Sequence, residues 1–512
     1  MQQLPLIDLF VIAIYLLAMV LVGVYFSRKN KNAAQFTTAS GSIPGWALGL
    51  SMYATFLSSN TFLGVPGKAY GSNWNSLVFS LSMPFAAYIA ARFFVPFYRK
   101  TGEVSAYTHL ERRFGPWARV YAMVCFMLTQ LARMGSIFFG IALTLQALTG
   151  VDMKTIMVVT GICIIVYTVL GGMEAVIWTE VVQGIIKTTG AFIILFIIIK
   201  EMKGGIGEIY RIGSSDNKFS LGSCSLTDFH SSTFWVVFLY GFFINLNNFG
   251  MDQNYVQRYH AARSEKEASR SVWLCVYWYL PMSLFFFIIG TALYAYFSQH
   301  PELLVPLKQQ VALEKNVDVN ALTPADYGDK ILPYFMVLKV PTGLVGLIIA
   351  AILSAAMSSI SSGMNSSATV FLKDIYQRYI NPSPGQKKEM KILHVVTALS
   401  GILSIVFGIA IIGVKSVLDL WWEFAGIFSG GMLGLFLLGL IVRKAGNAEA
   451  VTGTVIGIIV ILWMSLSEHL PREWERFKNP LHINMIIVAG TLTIFLVGLL
   501  VTKLRQVMLR KV

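Results

Sequence analysis

Two stretches decide the fold: Ser51–Gly67, SMYATFLSSNTFLGVPG, and Phe242–Arg258, FFINLNNFGMDQNYVQR. In the first, Ser58, Ser59, Asn60 and Thr61 interrupt an apolar run, and Gly64, Pro66 and Gly67 follow. In the second, Asn245, Asn247, Asn248, Gly250, Asp252 and Gln253 fall inside what otherwise reads as hydrocarbon-spanning helix. Lipid offers backbone groups no hydrogen bonds, so a helix breaks at membrane depth only where protein or a water-filled cavity receives the freed carbonyls and amides. Both stretches are expected to be discontinuous helices that frame a site. The competing reading takes their Ser and Asn as glue between packed helices.

Outward from these stretches the chain keeps the same character. Of 512 residues, 55% are hydrophobic and 13% charged. Soluble chains carry about a quarter charged residues, so a water-soluble multidomain enzyme is excluded. Apolar runs of about 20 residues, enough to cross roughly 30 Å of hydrocarbon, recur from end to end. The spans are read as 6–26, 44–70, 76–97, 118–148, 154–171, 175–199, 233–255, 272–297, 342–378, 391–413, 418–441, 450–468 and 482–503, thirteen in all, with the 154–171 and 175–199 pair separated by a turn at Gly171-Gly172.

The 40 Lys and Arg against 26 Asp and Glu leave +14, yet the excess gathers in alternate short connectors. These are Arg28, Lys29 and Lys31; Arg99, Lys100, Arg112 and Arg113; Arg258, Arg263, Lys266 and Arg270; Arg378, Lys387, Lys388 and Lys391; Arg443 and Lys444; and Lys503, Arg505, Arg510 and Lys511. That is the positive-inside pattern rather than a nucleic-acid surface. With an odd span number it puts the amino terminus outside and the carboxyl terminus in the cytoplasm of a multi-pass inner-membrane protein. Leu6–Phe26 lacks a basic residue before it and a small-residue cleavage site after it, and reads as a retained span. Cys125, Cys163 and Cys275 fall in apolar runs and Cys224 in a polar loop, so all four are expected to be free thiols.

Span two is the first, and span seven the sixth, of the ten helices left if one peripheral helix precedes the core and two follow it. Interruptions at matching places in two five-helix halves mark an inverted-repeat transporter with its site at the midplane. The expected organisation is a peripheral helix and cytoplasmic loop over 1–43, a first repeat over 44–199 and an extracellular loop over 200–232. A second repeat covers 233–441 with an insertion at about 298–341, and two peripheral helices fill 442–512.

Span nine carries Ser354, Ser358, Ser359, Ser361, Ser362, Asn365, Ser366 and Ser367. At 100° per residue, Ser354, Ser358, Ser361 and Asn365 fall on a stripe about 60° wide. Hard cations prefer oxygen ligands to sulfur or imidazole, so this face suits an alkali ion, though close helix packing accounts for many Ser-rich spans. Ionisable groups inside spans are costly and usually paired or functional. Arg133, with Gln130 one turn earlier, offers a planar fork suited to a carboxylate, or else a salt bridge to a distant span. Glu180 and Lys187, two turns apart, read as a structural pair or as part of a transport route, and Glu423 follows Trp421-Trp422 near the end of span eleven.

Other classes fit poorly. There is no TVGYG filter for an uncoupled channel, which with a membrane sensor is the alternative on this fold. There is no HExxH for an intramembrane enzyme, and Gly67-Lys68 has Phe62 where a phosphate loop needs glycine. The chain is expected not to be an enzyme and to have no obligatory protein partner.

Taken together, these residues resemble the sodium/solute symporter family over most of the chain. Asp8, Tyr15 and Gly23 are spaced as in its first helix; Tyr167–Gly184, YTVLGGMEAVIWTEVVQG, is similar to its first signature; SAAMSSISSGMNSSATVFLKDIY, ending at Tyr376, is similar to its ion-binding helix. Glu423–Leu440, EFAGIFSGGMLGLFLLGL, resembles the second signature, with Gly430 where many members have proline. The resemblance implies an all-α membrane protein with inverted five-helix repeats and broken first core helices, the LeuT-like fold. It also implies sodium-coupled import by alternating access. A first sodium ion is implied at the carbonyls of Ala54, Leu57 and Ala355 and the hydroxyls of Ser358 and Ser359. A second ion, left open, is implied at Glu180, Ser358, Ser361 and Ser362, with glutamate standing where aspartate is usual.

Among members, bacterial sialic acid symporters are the most similar. That match implies a substrate carboxylate on Arg133, with Gln130 beside it, and hydroxyl contacts from Ser58, Ser59 and Thr61. Asn60, Asn245, Asn248 and Phe249 match pocket-lining or gating positions, and Phe56 departs from a smaller polar residue. The expected cargo is a carboxylated sugar, sialic acid first; a neutral sugar, inositol or a small organic acid is the alternative.

Overall fold

The polar runs that interrupt the apolar segments are where the chain bends. The computed structural model describes residues 5–28, 31–413, 417–467 and 471–510. Lys29 and Lys511, expected in the basic connectors, and position 468 at the end of a span lie outside them, as do the side chains of Trp421 and Arg510. Helices α1 (Leu6–Ser27), α2 (Gly45–Phe56) and α3 (Ser59–Gly71) are followed by α4 (Trp74–Thr101), α5 (Pro116–Thr149) and α6 (Met153–Glu201). Then come α7 (Phe234–Met251), α8 (Gln253–Ala261), α9 (Glu265–Gln299), α10 (Gly328–Lys339) and α11 (Leu344–Val370). Helices α12 (Gln386–Ala410), α13 (Val417–Ile441), α14 (Asn447–Leu466) and α15 (Met485–Arg510) complete the set used below. Among the described residues the extended structure amounts to an isolated bridge between Ile43 and Ala262.

Eleven helices of the described residues are long and apolar enough to cross a membrane. Their outer faces carry apolar side chains that water would not tolerate: Leu6 is 84% exposed and Phe10 65%. Two elements stand apart from that count. α6 has 49 residues, about 70 Å of helix, and turns at Gly172, whose φ of 58° and ψ of −163° suit only glycine. α2 and α3, with 12 and 13 residues, are each too short to cross alone.

The first break lies at Leu57 (ψ 81°) and Ser58 (ψ 176°), and the second at Asp252 (ψ 117°), between α7 and α8. Both fall inside the polar runs quoted above. At the first, Ser58 donates its amide to Phe56 O rather than continuing the helical ladder, and side chains reach the neighbouring carbonyls. Thr55 O accepts from Arg133 Nη2 (2.8 Å) and Ser359 Oγ (3.0 Å), and Ala54 O from Ser358 Oγ (2.9 Å).

α11 lies at the centre. Every residue from Ile348 to Val370 is buried, and the helix packs against α1, α2, α5, α6 and α12. Its start is held by α1: Asp8 Oδ1 accepts from the amides of Gly343 (2.9 Å) and Gly346 (2.6 Å). Tyr15 donates to Met357 Sδ, and a Cβ on Gly23 would lie 2.9 Å from Tyr167 Cβ, so the three residues singled out in the first helix each make a packing contact.

α3 is clasped from two sides. A Cβ on Gly67 would come within 2.8 Å of the Gly328 carbonyl carbon, and one on Gly290 of α9 would press on Pro66 O and lie 2.6 Å from Ala69 Cβ. The carboxyl end of α3 meets the 202–233 connector, where Lys218 Nζ donates to Tyr70 O (2.7 Å) and Ser72 O (2.9 Å) and sits 3.7 Å from the ring centroid of Tyr294. Burial there pushes the Lys218 amine down to about 8, with Asp216 pulling the other way.

One expectation is corrected. Arg258, counted among the cytoplasmic connector charges, lies in α8 and is 1% exposed, because it serves the interior network described next. All four cysteines are free, as expected.

Candidate functional site

A narrow cavity of about 70 Å³ lies beside the first break. Its wall includes Phe56, Ser58, Asn60 and Thr61 from the broken pair, Arg133 from α5 and Asn248 from α7. Past the break, Ser58, Asn60 and Thr61 stand on the cavity wall, with Thr61 Oγ1 donating to Phe56 O (3.4 Å). Asn60 Nδ2 is spent on Ser136 Oγ (2.9 Å), while its Oδ1 has no partner among the described residues. An unsatisfied buried carbonyl oxygen costs about 1–3 kcal/mol, which a solute hydroxyl or amide would recover. Arg133, 8% exposed, anchors itself by one nitrogen on Thr55 O and keeps Nη1 3.7 Å from Asp252 Oδ2.

Four expected pocket residues lie off this wall. Ser59 donates to Ile137 O (3.2 Å), Gln130 to Asp252 (3.4 Å) and Asn245 to Ser82 Oγ (3.3 Å) and Phe79 O (3.4 Å). Phe249 packs behind Phe56, ring centroids 5.7 Å apart, and accepts at its carbonyl from Tyr259. Five aromatic residues that the sequence did not single out for the pocket also line it: Phe79, Tyr240, Tyr279, Phe287 and Trp422. Phe79 stacks on Trp422 at 5.5 Å, and Tyr240 donates to the Trp422 carbonyl (3.1 Å). Ser80 and Ser283, joined at 2.7 Å, line it too; both are hydroxyls inside apolar runs, the signal that marked the broken helices.

Below the cavity the break and α11 form a ring of oxygens. Ser358 Oγ lies between Ala54 O (2.9 Å) and Ala355 O (3.2 Å), and Ser359 Oγ reaches Thr55 O (3.0 Å) and Ala355 O (3.5 Å). Ala54, Leu57, Ala355, Ser358 and Ser359 are thus brought together. Lys187 of α6 points into this ring: Nζ lies 2.6 Å from Ala54 O, 2.9 Å from Leu57 O and 3.0 Å from Ser358 Oγ. Glu180 and Lys187 do not form the pair that was one of the two readings.

Glu180 instead meets Arg258. Arg258 Nη2 lies 2.7 Å from Glu180 Oε2, 2.9 Å from Thr55 Oγ1 and 2.6 Å from Ser362 Oγ, and Nε lies 2.8 Å from Ser51 Oγ. Ser51 and Ser362 each donate to the Glu180 carboxylate. Ser361 lies a turn away, its hydroxyl on Ser358 O (3.2 Å). The two cages therefore share α11 and the first break, with a protein cation touching oxygens of each. Among the described residues no cluster of three or more His, Cys, Asp or Glu has the makings of a transition-metal site.

Comparison with known proteins agrees with this architecture. The family model described as the sodium:solute symporter family matches residues 36–457. The sodium/sialic acid symporter SiaT of Proteus mirabilis (strain HI4320) is 35% identical over 483 residues, 94% of this chain and 93% of the relative. The sodium/sialic acid symporter NanT of Aliivibrio fischeri (strain ATCC 700601 / ES114) is 34% identical over 489 residues, 95% of this chain and 91% of the relative. A solved Na+-coupled sialic acid symporter in its substrate-bound outward-open state matches with a TM-score of 0.85 at 34% identity, covering 97% of this chain and 98% of that one. Mhp1, a nucleobase-cation-symport-1 family transporter in a closed conformation, shares the fold at a TM-score of 0.56 and 15% identity, over 92% and 94% of the two chains. Helices interrupted where the sequence turns polar, an oxygen ring on α11, and a match along most of the chain lead to one assignment: this protein belongs to the sodium:solute symporter family.

Proposed function

We propose that this chain imports sialic acid together with sodium by alternating access. The observation that carries the cargo is Arg133. Its guanidinium lies on a cavity wall that also presents Ser58, Asn60, Thr61 and Asn248, a set able to hold a carboxylate and the hydroxyls and amide of a sugar acid. The kinship with two sodium/sialic acid symporters supports the same cargo. Ser59, Gln130, Asn245 and Phe249 support that wall from behind.

Sodium enters the ring of Ala54, Leu57, Ala355, Ser358 and Ser359, and Glu180, Ser358, Ser361 and Ser362 form the candidate cage for a second ion. An ion in the first ring ties the broken helix to α11, and rocking of the two halves, 44–199 and 233–441, about the site opens the inner face, where the ion leaves. Each sodium moving down a membrane potential supplies about 2.3 kcal/mol per 100 mV, so a second ion would square the accumulation of the first. Thirteen crossings, with the amino terminus outside and the carboxyl terminus in the cytoplasm, complete the reading. The basic connectors support that orientation.

A second reading has an observation in its favour: Asp252 Oδ2 lies 3.7 Å from Arg133, as a structural partner would. In that case the cargo is a neutral sugar, inositol or a small organic acid. The test is uptake of a panel of labelled solutes into proteoliposomes with and without a sodium gradient, for the wild type, Arg133→Lys and Arg133→Ala. The carboxylate reading expects sialic acid uptake to fall at least about a hundredfold in Arg133→Ala, the loss of a charge-assisted bidentate contact. Undiminished uptake in a monodisperse Arg133→Ala protein rejects it.

A further inference from the structure

The first cage already holds a positive charge. The Ala54 and Leu57 carbonyls accept only, and Ser358 has its own proton directed to a carbonyl, so all three contacts of Lys187 Nζ must be donated by the lysine. Three donors are what an ammonium has, and each finds an oxygen. Among the described residues no carboxylate lies within 4 Å of Nζ, and Glu180, seven residues earlier on the same helix, is engaged with Arg258 at 2.7 Å. The side chain is fully buried, so those oxygens replace the water it gave up.

An alkali ion and an ammonium make the same demand on this ring, for neutral oxygens converging on a point charge. Both cannot be met at once, because two like charges in one desolvated ring repel strongly. We propose that the first cage has two mutually exclusive occupants, a transported sodium ion and the tethered ammonium of Lys187. When sodium is absent the lysine bridges the broken helix and α11 in its place. The inference rests on the reading of this ring as a sodium site and adds that the chain carries its own competitor for it. Sodium loading is then an exchange in which the ammonium withdraws from Ala54 O and Leu57 O as the ion arrives. The cage holds one positive charge throughout, and the sodium-free carrier keeps the connection that sodium would otherwise make.

The test uses purified full-length protein without solute. Sodium affinity is read from equilibrium binding of radioactive sodium and from sodium-dependent thermal stabilisation, with choline as control. If the lysine fills the ring nine-tenths of the time, it weakens apparent sodium affinity about tenfold, since only the vacated fraction binds. Lys187→Met is therefore expected to bind sodium about tenfold or more tightly, and to be less stable than wild type in choline but not in sodium. Adding Ser358→Ala to Lys187→Met is expected to remove the gained affinity, which locates the effect in this ring. Lys187→Arg, still charged, is expected to stay weak. Unchanged or weaker sodium binding in folded Lys187→Met overturns the proposal. Should that variant fail to fold, a structure of the wild type at saturating sodium decides. An ion in the ring with Nζ withdrawn supports exchange; an ion beside an unmoved Nζ, or an ammonium-filled ring with no ion, overturns it. Because no solute enters these measurements, a wrong cargo assignment leaves them untouched and shows only in the uptake panel.

Discussion

The Glu180–Arg258 pair should behave as a unit. Its members are 0% and 1% exposed and 2.7 Å apart, bridged by Ser51, Thr55 and Ser362. Arg258→Met leaves a buried carboxylate facing only hydroxyls, and removing one partner of a buried pair costs about 3–5 kcal/mol. Glu180→Gln strands the guanidinium in the same way, at the lower end of that range because the amide oxygen still accepts. In the double variant both charges go, the surrounding hydroxyls still meet an amide in place of the carboxylate, and the net cost should be about 0–2 kcal/mol. The coupling across the cycle is then about 3 kcal/mol or more. Unfolding entropy scales at about 2 cal/mol/K per residue, so over a chain of this length a kcal/mol moves the melting point by about 1 °C. Arg258→Met should therefore melt about 3–5 °C low, and the double variant within about 2 °C of wild type. The assay is tryptophan-fluorescence melting of the four proteins in one detergent, with coupling taken from the cycle. Additive losses, or an Arg258→Met protein as stable as wild type, would refute the idea that these charges hold each other in the interior.

Three further outcomes follow from other contacts. Ser358→Ala removes a ring oxygen worth about 1 kcal/mol, so half-saturation by sodium in uptake should rise about five- to tenfold; an unchanged value removes Ser358 from the ring. Gly290→Ala drives a Cβ onto Pro66 O and to 2.6 Å from Ala69 Cβ, forcing α9 from α3 at a cost of about 1–3 kcal/mol, visible as a lower melting point. For Lys218 the folded value, about 8, lies below the ordinary lysine value of 10.5, so the charged form is disfavoured in the folded state. Stability from this residue is least below about pH 8 and rises as pH climbs from about 8 toward about 10.5. Proteolysis of the 202–233 connector should thus slow between pH 7 and 9.5 in the wild type relative to Lys218→Met; equal pH dependence in the two rejects the assignment.

The sequence carried the bends clearly, because hydroxyl and amide residues inside apolar runs have few uses at membrane depth. Leu57-Ser58 and Asp252 turn where such signals stood, and Gly172 turns at the expected Gly171-Gly172 pair. The serine stripe on α11 was legible from its 100° periodicity, whereas the burial of the helix on every side was not. Side-chain direction beyond a break was not legible either. Helical phase is lost where the helix stops, so the turning of Ser59 toward Ile137 could not be counted forward from α2. Arg258 was read with its neighbours as a loop charge because basic residues after a span usually are; its burial depends on Glu180, 78 residues away in sequence. Lys187 was weighed against Glu180 because the two share a helix, whereas its true partners are carbonyls, which no side-chain pattern reveals.

The fit of α3 against its neighbours has a mechanical side. With Gly67 pressed on Gly328 and Gly71 on Ala325, the inserted segment that ends in α10 has no slack against the half-helix beneath it. Whatever grips that segment grips the moving rod as well. A binder raised against 298–341 would act as a brake on turnover without entering the cavity, and a flexible peptide tag spliced at Gly328 would loosen the linkage.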